Sequence, residues 1–309
     1  MNINFKKKGY KIALISFIIF ILFFFSVFFC TNRISNELER QLETNLIDVA
    51  NQNALAISNQ LNDNYMLLDS LFAEIKEIPG DMSENVMLLK GFVKANNLKR
   101  VGFCDTDGTD NVVANLSYRE FFQRGMQGKS TITGVLTDAL RPDADEKVII
   151  FSSPMYDDTT NELLGVFGLV YDAEVINASL QVECFEGQGC SFATNEAGDI
   201  SIAMGYDSIQ LSKNLYTDIL SRNPGNTEVI NTIRRNISSN TPNLGKLFID
   251  SVEYYYYRTP ILIADGEIVW NVFTLVPTGY LLQRLKPVRN TMYLMIFLSI
   301  FLVVAAMIS

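Results

Sequence analysis

No histidine occurs anywhere in this 309-residue sequence. That absence removes Ser-His and Cys-His nucleophile pairs and every histidine-based metal site. A Gly-rich phosphate cradle ending in Lys and Ser or Thr is also missing, so nucleotide-phosphate chemistry has no visible seat. Cysteine is scarce: Cys30 lies in an apolar run, and only Cys104, Cys184 and Cys190 lie outside it. Cys184 and Cys190 either close a small loop through Phe-Glu-Gly-Gln-Gly or remain two partly buried thiols. Basic residues are in the minority. The formal net charge is −9, and because the first 30 residues carry +4 the remainder carries −13. A chain so acidic has no dense basic patch to replace phosphate counterions, which excludes nucleic acid as a partner.

What the chain does have is two uncharged apolar stretches, Ile12 to Cys30 and Thr291 to Ser309, each 19 residues long. Both have the length that the hydrocarbon core of a bilayer requires. Lys6, Lys7, Lys8 and Lys11 precede the first without an acidic residue, which keeps that end cytoplasmic and puts the middle outside. Arg284, Lys286 and Arg289 before the second stretch weaken this asymmetry. Phe28-Phe29-Cys30-Thr31-Asn32 offers no small-x-small cleavage site, so an uncleaved anchor is expected. The expectation is a cell-membrane protein with two spans and an extracytoplasmic middle.

From Ile34 to Ile75 the residues Ile34, Leu38, Leu42, Leu46, Val49, Ile57, Leu61, Leu68, Leu71 and Ile75 recur mostly at steps of three and four. This periodicity predicts one long helix, ended by Pro79-Gly80. Its apolar stripe reads as a stalk and as the seam of a homodimer; the alternative is two core helices broken near Asn51 to Asn53.

Beyond the stalk the period becomes that of strands and turns. Arg100-Val-Gly-Phe-Cys-Asp-Thr-Asp-Gly places an apolar strand before an Asp-Gly turn, and Ser191-Phe-Ala-Thr-Asn-Glu-Ala-Gly-Asp repeats that design about 90 residues later. Closing strands repeat too, at Leu164 to Tyr171 and Ile268 to Pro277. Two tandem α+β lobes with antiparallel sheets follow. The Asp105 to Asp110 cluster has its Gly fourth and Leu116 at the twelfth position, which suits a turn rather than a calcium loop. Tyr254 to Tyr257 reads as a strand half-buried on both faces.

Lys99-Arg-Val-Gly-Phe-Cys-Asp-Thr-Asp-Gly, Ser117-Tyr-Arg-Glu-Phe-Phe-Gln-Arg-Gly-Met-Gln-Gly-Lys and Gly165-Val-Phe-Gly-Leu-Val-Tyr-Asp resemble the double Cache sensor region of bacterial receptors, a PAS-like fold. The resemblance covers almost the whole chain. It implies residues 1–11 as a cytoplasmic N-terminus, 12–30 and 291–309 as membrane spans, 31–95 as stalk and lead-in, 96–181 as a membrane-distal lobe and 182–285 as a membrane-proximal lobe. In amino-acid-binding members the helix carries Arg-x-Trp-Tyr and a later Asp meets the amine, so Arg119, Phe121, Phe122 and Asp172 are the matching positions. Arg119 offers a planar fork for a carboxylate. The departures are that both aromatics are Phe and that no Tyr stands near Leu136 to Asp138. Other roles are open: Arg119 paired with Glu120 or Asp138, Phe121 or Phe122 as core, Asp172 as the cap of a helix through Val175 and Ile176.

The expected function is small-molecule sensing by the input region of a transmembrane receptor. It requires no cofactor and no catalysis in this chain. The alternative is a doubly anchored solute-binding protein without signalling. The sequence stops at Ser309 inside the second apolar stretch, so the expected output domain, by resemblance a diguanylate cyclase or else a histidine kinase or a chemotaxis signalling domain, belongs to a longer protein from which this is a half or a cut piece.

Overall fold

The computed structural model describes residues 3–78, 85, 89–110, 114–144, 146–179, 184–204, 213–262, 268–284 and 286–308. Two compact units emerge, one of Met1–Leu46 with Thr278–Ser309 and one of Ile47–Pro277.

The first unit is helical: it holds the beginning of helix α1 (Ile3–Lys76), and, as later helices of the chain, Thr278–Arg284 and Lys286–Ile308. Both expected spans lie on helices. Most side chains at 12–20 and all at 302–309 lie outside the described residues, and among the described residues no helix is long and apolar enough to cross a membrane. Phe24, Phe25, Phe28 and Phe29, with Met295, Phe297 and Phe301, are large apolar side chains exposed on this unit's surface.

The second unit is built on two antiparallel sheets. The first contains β1 (Arg100–Asp105), β2 (Thr131–Ile132), β3 (Leu136–Thr137), β4 (Lys147–Tyr156) and β5 (Leu163–Asp172), in the order β1-β5-β4-β2 with β3 also on β4. The second contains β6 (Cys190–Thr194), β7 (Ile200–Met204), β8 (Asn243–Ile249), β9 (Val252–Leu262) and β10 (Ile268–Pro277), in the order β7-β6-β10-β9-β8. In each sheet the opening strand pairs with the closing one: Phe103 faces Phe167, and Phe192 faces Phe273. The internal repeat therefore has a structural counterpart in strand pairing.

Strands β4 and β5 read as unbroken apolar runs because both their faces are covered. Ile149, Phe151, Phe167, Leu169 and Tyr171 pack on one side with Ile57, Leu61, Leu68 and Ile75 of α1. Their alternates Val148, Ile150, Val166 and Val170 pack on the other with Phe121 and Phe122. The second sheet repeats the scheme. Phe192, Leu247, Tyr256 and Phe273 lie against Leu215, Tyr216, Ile230 and Ile233, while Ala193, Ile202, Trp270 and Val272 share the core that contains α1.

The apolar stripe of α1 thus corrects the seam expectation. From Ala54 to Ile75 it is buried against the chain's own sheets, because a stripe at helical period needs an apolar partner and a sheet face serves as well as a second helix. The helix runs through Asn51 to Asn53 without a break, and Asn53 is buried, its amide donating to Cys184 Sγ at 3.0 Å and Ser191 Oγ at 3.2 Å. Pro79-Gly80 lies outside the described residues. Cys184 and Cys190 are fully buried thiols, and the small loop is not closed by a disulfide. Tyr254, Tyr255 and Tyr256 are nearly inaccessible, deeper than a half-buried strand, because β9 is an inner strand between β10 and β8.

Candidate functional site

A cavity of about 1030 Å³ lies in the second unit, with walls from both sheets. Its size is at the upper end of small-molecule pockets. The first sheet's wall begins at the N-terminus of the short helix α2 (Glu120–Gly125), where Tyr118, Arg119, Glu120, Phe121 and Arg124 line it, and continues through Ser130 to Thr137 and Lys147. The second sheet supplies Asn195 to Ala197, Asp199, Ile200, Lys213 and Trp270.

Local chemistry sets each wall. Arg119 has extended backbone (φ −78°, ψ 137°) just ahead of α2. Its Nη2 donates to the Thr137 carbonyl at 3.3 Å, and its guanidinium carbon lies 5.0 Å from the centre of the Tyr118 ring. Lys147 Nζ donates to Thr137 Oγ1 at 2.9 Å. The hairpin between β6 and β7 turns at Gly198, whose φ of +89° and contact with the Tyr216 ring leave no room for a Cβ. Asp199 is tied there by Asn195 Nδ2 at 3.1 Å and Asn214 Nδ2 at 2.9 Å. The first sheet's loop comes so close to β7 that a Cβ on Gly134 would stand 3.3 Å from Ser201 Oγ.

Beside the cavity lies a charged network that spacing alone did not disclose. Asp138 is fully buried and accepts from Arg100 Nη1 at 2.7 Å and Nη2 at 2.8 Å. Lys99 Nζ lies 2.5 Å from Glu146, 2.6 Å from Asp172 and 3.9 Å from Asp138. Burial opposes the charge on Lys99, but hydrogen bonds to Asp172 and Glu146 outweigh it and raise the ammonium's pKa. For Asp138 burial works upward, and the bond from Arg100 with that from the Leu140 amide overrides it, holding the carboxyl below its usual range.

Of the four residues singled out from sequence, Arg119 and Phe121 line the cavity. Phe122 is buried in the core behind α2 and is not among the lining residues. Asp172 is also absent from the lining; its carboxylate is held by Lys99, and it stands just ahead of the helix Ala173–Ser179. The largest omission from the sequence reading is Trp270, which is 1% exposed. Being the chain's single tryptophan was the one signal that could have drawn attention to it.

No family model matches the sequence, and no curated protein does. Solved structures do match. The ligand-binding domain of the Pseudomonas aeruginosa amino acid chemoreceptor PctB, in complex with L-Arg, is 16% identical, with 78% of this chain and 97% of that one covered at a TM-score of 0.58. That of PctC from the same organism, in complex with GABA, is 18% identical over 76% of this chain and 99% of that one, at 0.55. The sensory domain of the Campylobacter jejuni chemoreceptor Tlp3 with isoleucine bound is 14% identical over 80% and 96%, at 0.54. These are sensory domains of the double Cache type, and this chain has their fold.

Proposed function

We propose that this chain is the extracytoplasmic, small-molecule-sensing input region of a membrane receptor, and that the cavity between the sheets is where the ligand binds. The observation that carries the reading is the cavity itself: concave, walled by both sheets, and edged by a half-buried guanidinium, Arg119. The ligand is a carboxylate, an amino acid or a similar molecule, gripped by Arg119 and flanked by the ring of Phe121. Support for this ligand class comes from the fold shared with domains solved with L-Arg, GABA and isoleucine.

The lobes at 96–181 and 182–285 form the sensor, and the helices around 12–30 and 291–309 anchor it in the cell membrane. The row of exposed phenylalanines from Phe23 to Phe29 favours a lipid surround, since water would tolerate so large an apolar patch poorly. Pairing into a homodimer through α1 would use the helix side opposite its core stripe, where Leu55 and Met66 are exposed. Ligand binding shifts the receptor between two states by its differential affinity, and a diguanylate cyclase, on the resemblance, receives the change.

The test is thermal unfolding of the full chain in nanodiscs against amino acids, amines, carboxylates and purines. At a concentration 100 times Kd a true ligand contributes about 2.7 kcal/mol and raises Tm. Arg119→Ala is expected to abolish the rise for a carboxylate ligand. A rise that survives this substitution would place binding elsewhere.

A further inference from the structure

Buried polar atoms on the cavity wall that lack hydrogen-bond partners among the described residues include the indole Nε1 of Trp270 and the hydroxyl of Thr131. Trp270 is 1% exposed and Thr131 is 8% exposed. A buried indole N–H normally finds an acceptor, and leaving a buried donor unmade costs about 1–3 kcal/mol. One such atom would be a local defect. These two belong to different sheets, Thr131 to β2 and Trp270 to β10, yet line one cavity.

The charges around them decide which ligand group could meet them. The cavity's acids, Glu120, Glu196 and Asp199, are exposed. The fully buried acid nearby, Asp138, is spent on Arg100, and Asp172 on Lys99. The buried wall therefore offers donors and no acid. An indole N–H only donates, so the ligand group that reaches it is an acceptor and not an ammonium.

We propose that the ligand carries two acceptor groups and ties the sheets together, with a carboxylate on Arg119 and a second carboxylate or amide oxygen on the Trp270 N–H and the Thr131 hydroxyl. The ligand class is then a short dicarboxylate, or an amino acid with an acid or amide side chain. This rests on the reading of the cavity as the ligand site. A site built to hydrogen-bond a group rejects the analogue that lacks it, because its own donors are then left buried and unmade.

Trp270 is the only tryptophan, so tryptophan emission of the full chain reports from this wall alone. The probes are glutarate and L-glutamine, set against butyrate and L-norvaline, which lack the second acceptor. Glutarate or L-glutamine is expected to change the emission at saturation and to bind more tightly than its partner. Trp270→Phe and, separately, Thr131→Val, which removes a hydroxyl at nearly constant shape, are expected to lower the ratio of glutarate to butyrate affinity about tenfold, equivalent to about 1.4 kcal/mol. Affinities are read by calorimetry, which needs no tryptophan. A purely structural role would weaken both probes alike and leave the ratio unchanged, and that result in both variants overturns the bridging while leaving the cavity as the ligand site. If the wild type binds none of the four probes, this proposal is overturned, and the broader panel above then decides whether the cavity binds any ligand at all.

Discussion

Lys99 is the residue on which the charge balance around the first sheet turns. Its ammonium is raised in pKa, whereas the carboxyls of Asp138 and Glu146 are lowered. The raised ammonium contributes stability that is complete below its ordinary value of 10.5 and is lost as pH climbs through the higher folded value. The lowered carboxyls contribute stability that is complete above their ordinary values of 3.8 and 4.5 and is lost as pH falls through the lower folded values. The network therefore stabilises across the neutral range and fails at both ends. Lys99→Met is expected to lower Tm at pH 7 and to flatten its fall from pH 5 to pH 3, checked by calorimetric scans over that range. An acid limb as steep as the wild type's would mean that Lys99 does not hold the Glu146 carboxyl. Lys99 and Asp172 were both visible in the sequence motifs, but 73 positions apart. What unites them is strand register: Arg100 faces Val170 and the Lys99 amide donates to the Val170 carbonyl at 2.8 Å, which carries Lys99 alongside the end of β5. Register depends on every side chain along two strands, so no local pattern announces it. Asp172 was legible as an acid at a strand end, and the cation that occupies it was not.

Elements were the most legible scale, and their partners the least. The three-four stripe of α1 and the alternation of the strands follow from geometry that repeats every few residues. The stripe says that something apolar covers Ile57, Leu61 and Leu68 but not whether it is a sheet or another helix. A second helix, α3 (Leu215–Arg222), and a third, α4 (Thr227–Ser238), cover the far face of the second sheet, and the end of α4 holds an unusual tie. Arg258 of β9 is fully buried, and its guanidinium donates to the Asn236 carbonyl at 3.2 Å, to the Thr241 carbonyl and to Asn271 Oδ1. Burial pushes its pKa down, yet guanidinium keeps its proton at any ordinary pH. The cation sits at the C-terminal end of α4, where the helix dipole is negative. Nothing in the run Tyr-Tyr-Tyr-Tyr-Arg marked this role, because the carbonyls it meets belong to backbone far along the chain. Arg258→Met keeps much of the side chain's length but takes this donor from Asn271 Oδ1, which is fully buried. It is expected to cost about 1–3 kcal/mol, the scale for leaving a buried acceptor unmade, read as a lowered urea midpoint. A loss below about 1 kcal/mol would show the tie to be dispensable.

Across the whole molecule, one core joins α1 to both sheets, since Ile57, Phe151, Phe167, Trp270 and Val272 belong to a single cluster. Lobes that share a core unfold together. Urea transitions followed by Trp270 emission, which reads the second sheet, and by far-ultraviolet circular dichroism, which reads both, are expected to coincide; two separated transitions would contradict a common core. The cavity inherits its walls from this arrangement, which explains why Arg119 and Phe121 were visible in sequence while Trp270 was not: the two sides are about 150 positions apart and meet only after the sheets share a helix. The position of β10 has a further consequence during synthesis. Among the described residues it is the last strand of its sheet in sequence, yet it stands between β6 and β9. As the chain leaves the ribosome, the first sheet has all its strands once Asp172 is out, while the β6–β7 and β8–β9 pairs each lack the neighbour that β10 supplies until Pro277 follows. Such edges are templates for pairing with the wrong chain. Between the emergence of Leu262 and that of Pro277 these edges therefore stand open, and the cavity gains its Trp270 wall only as that stretch is completed.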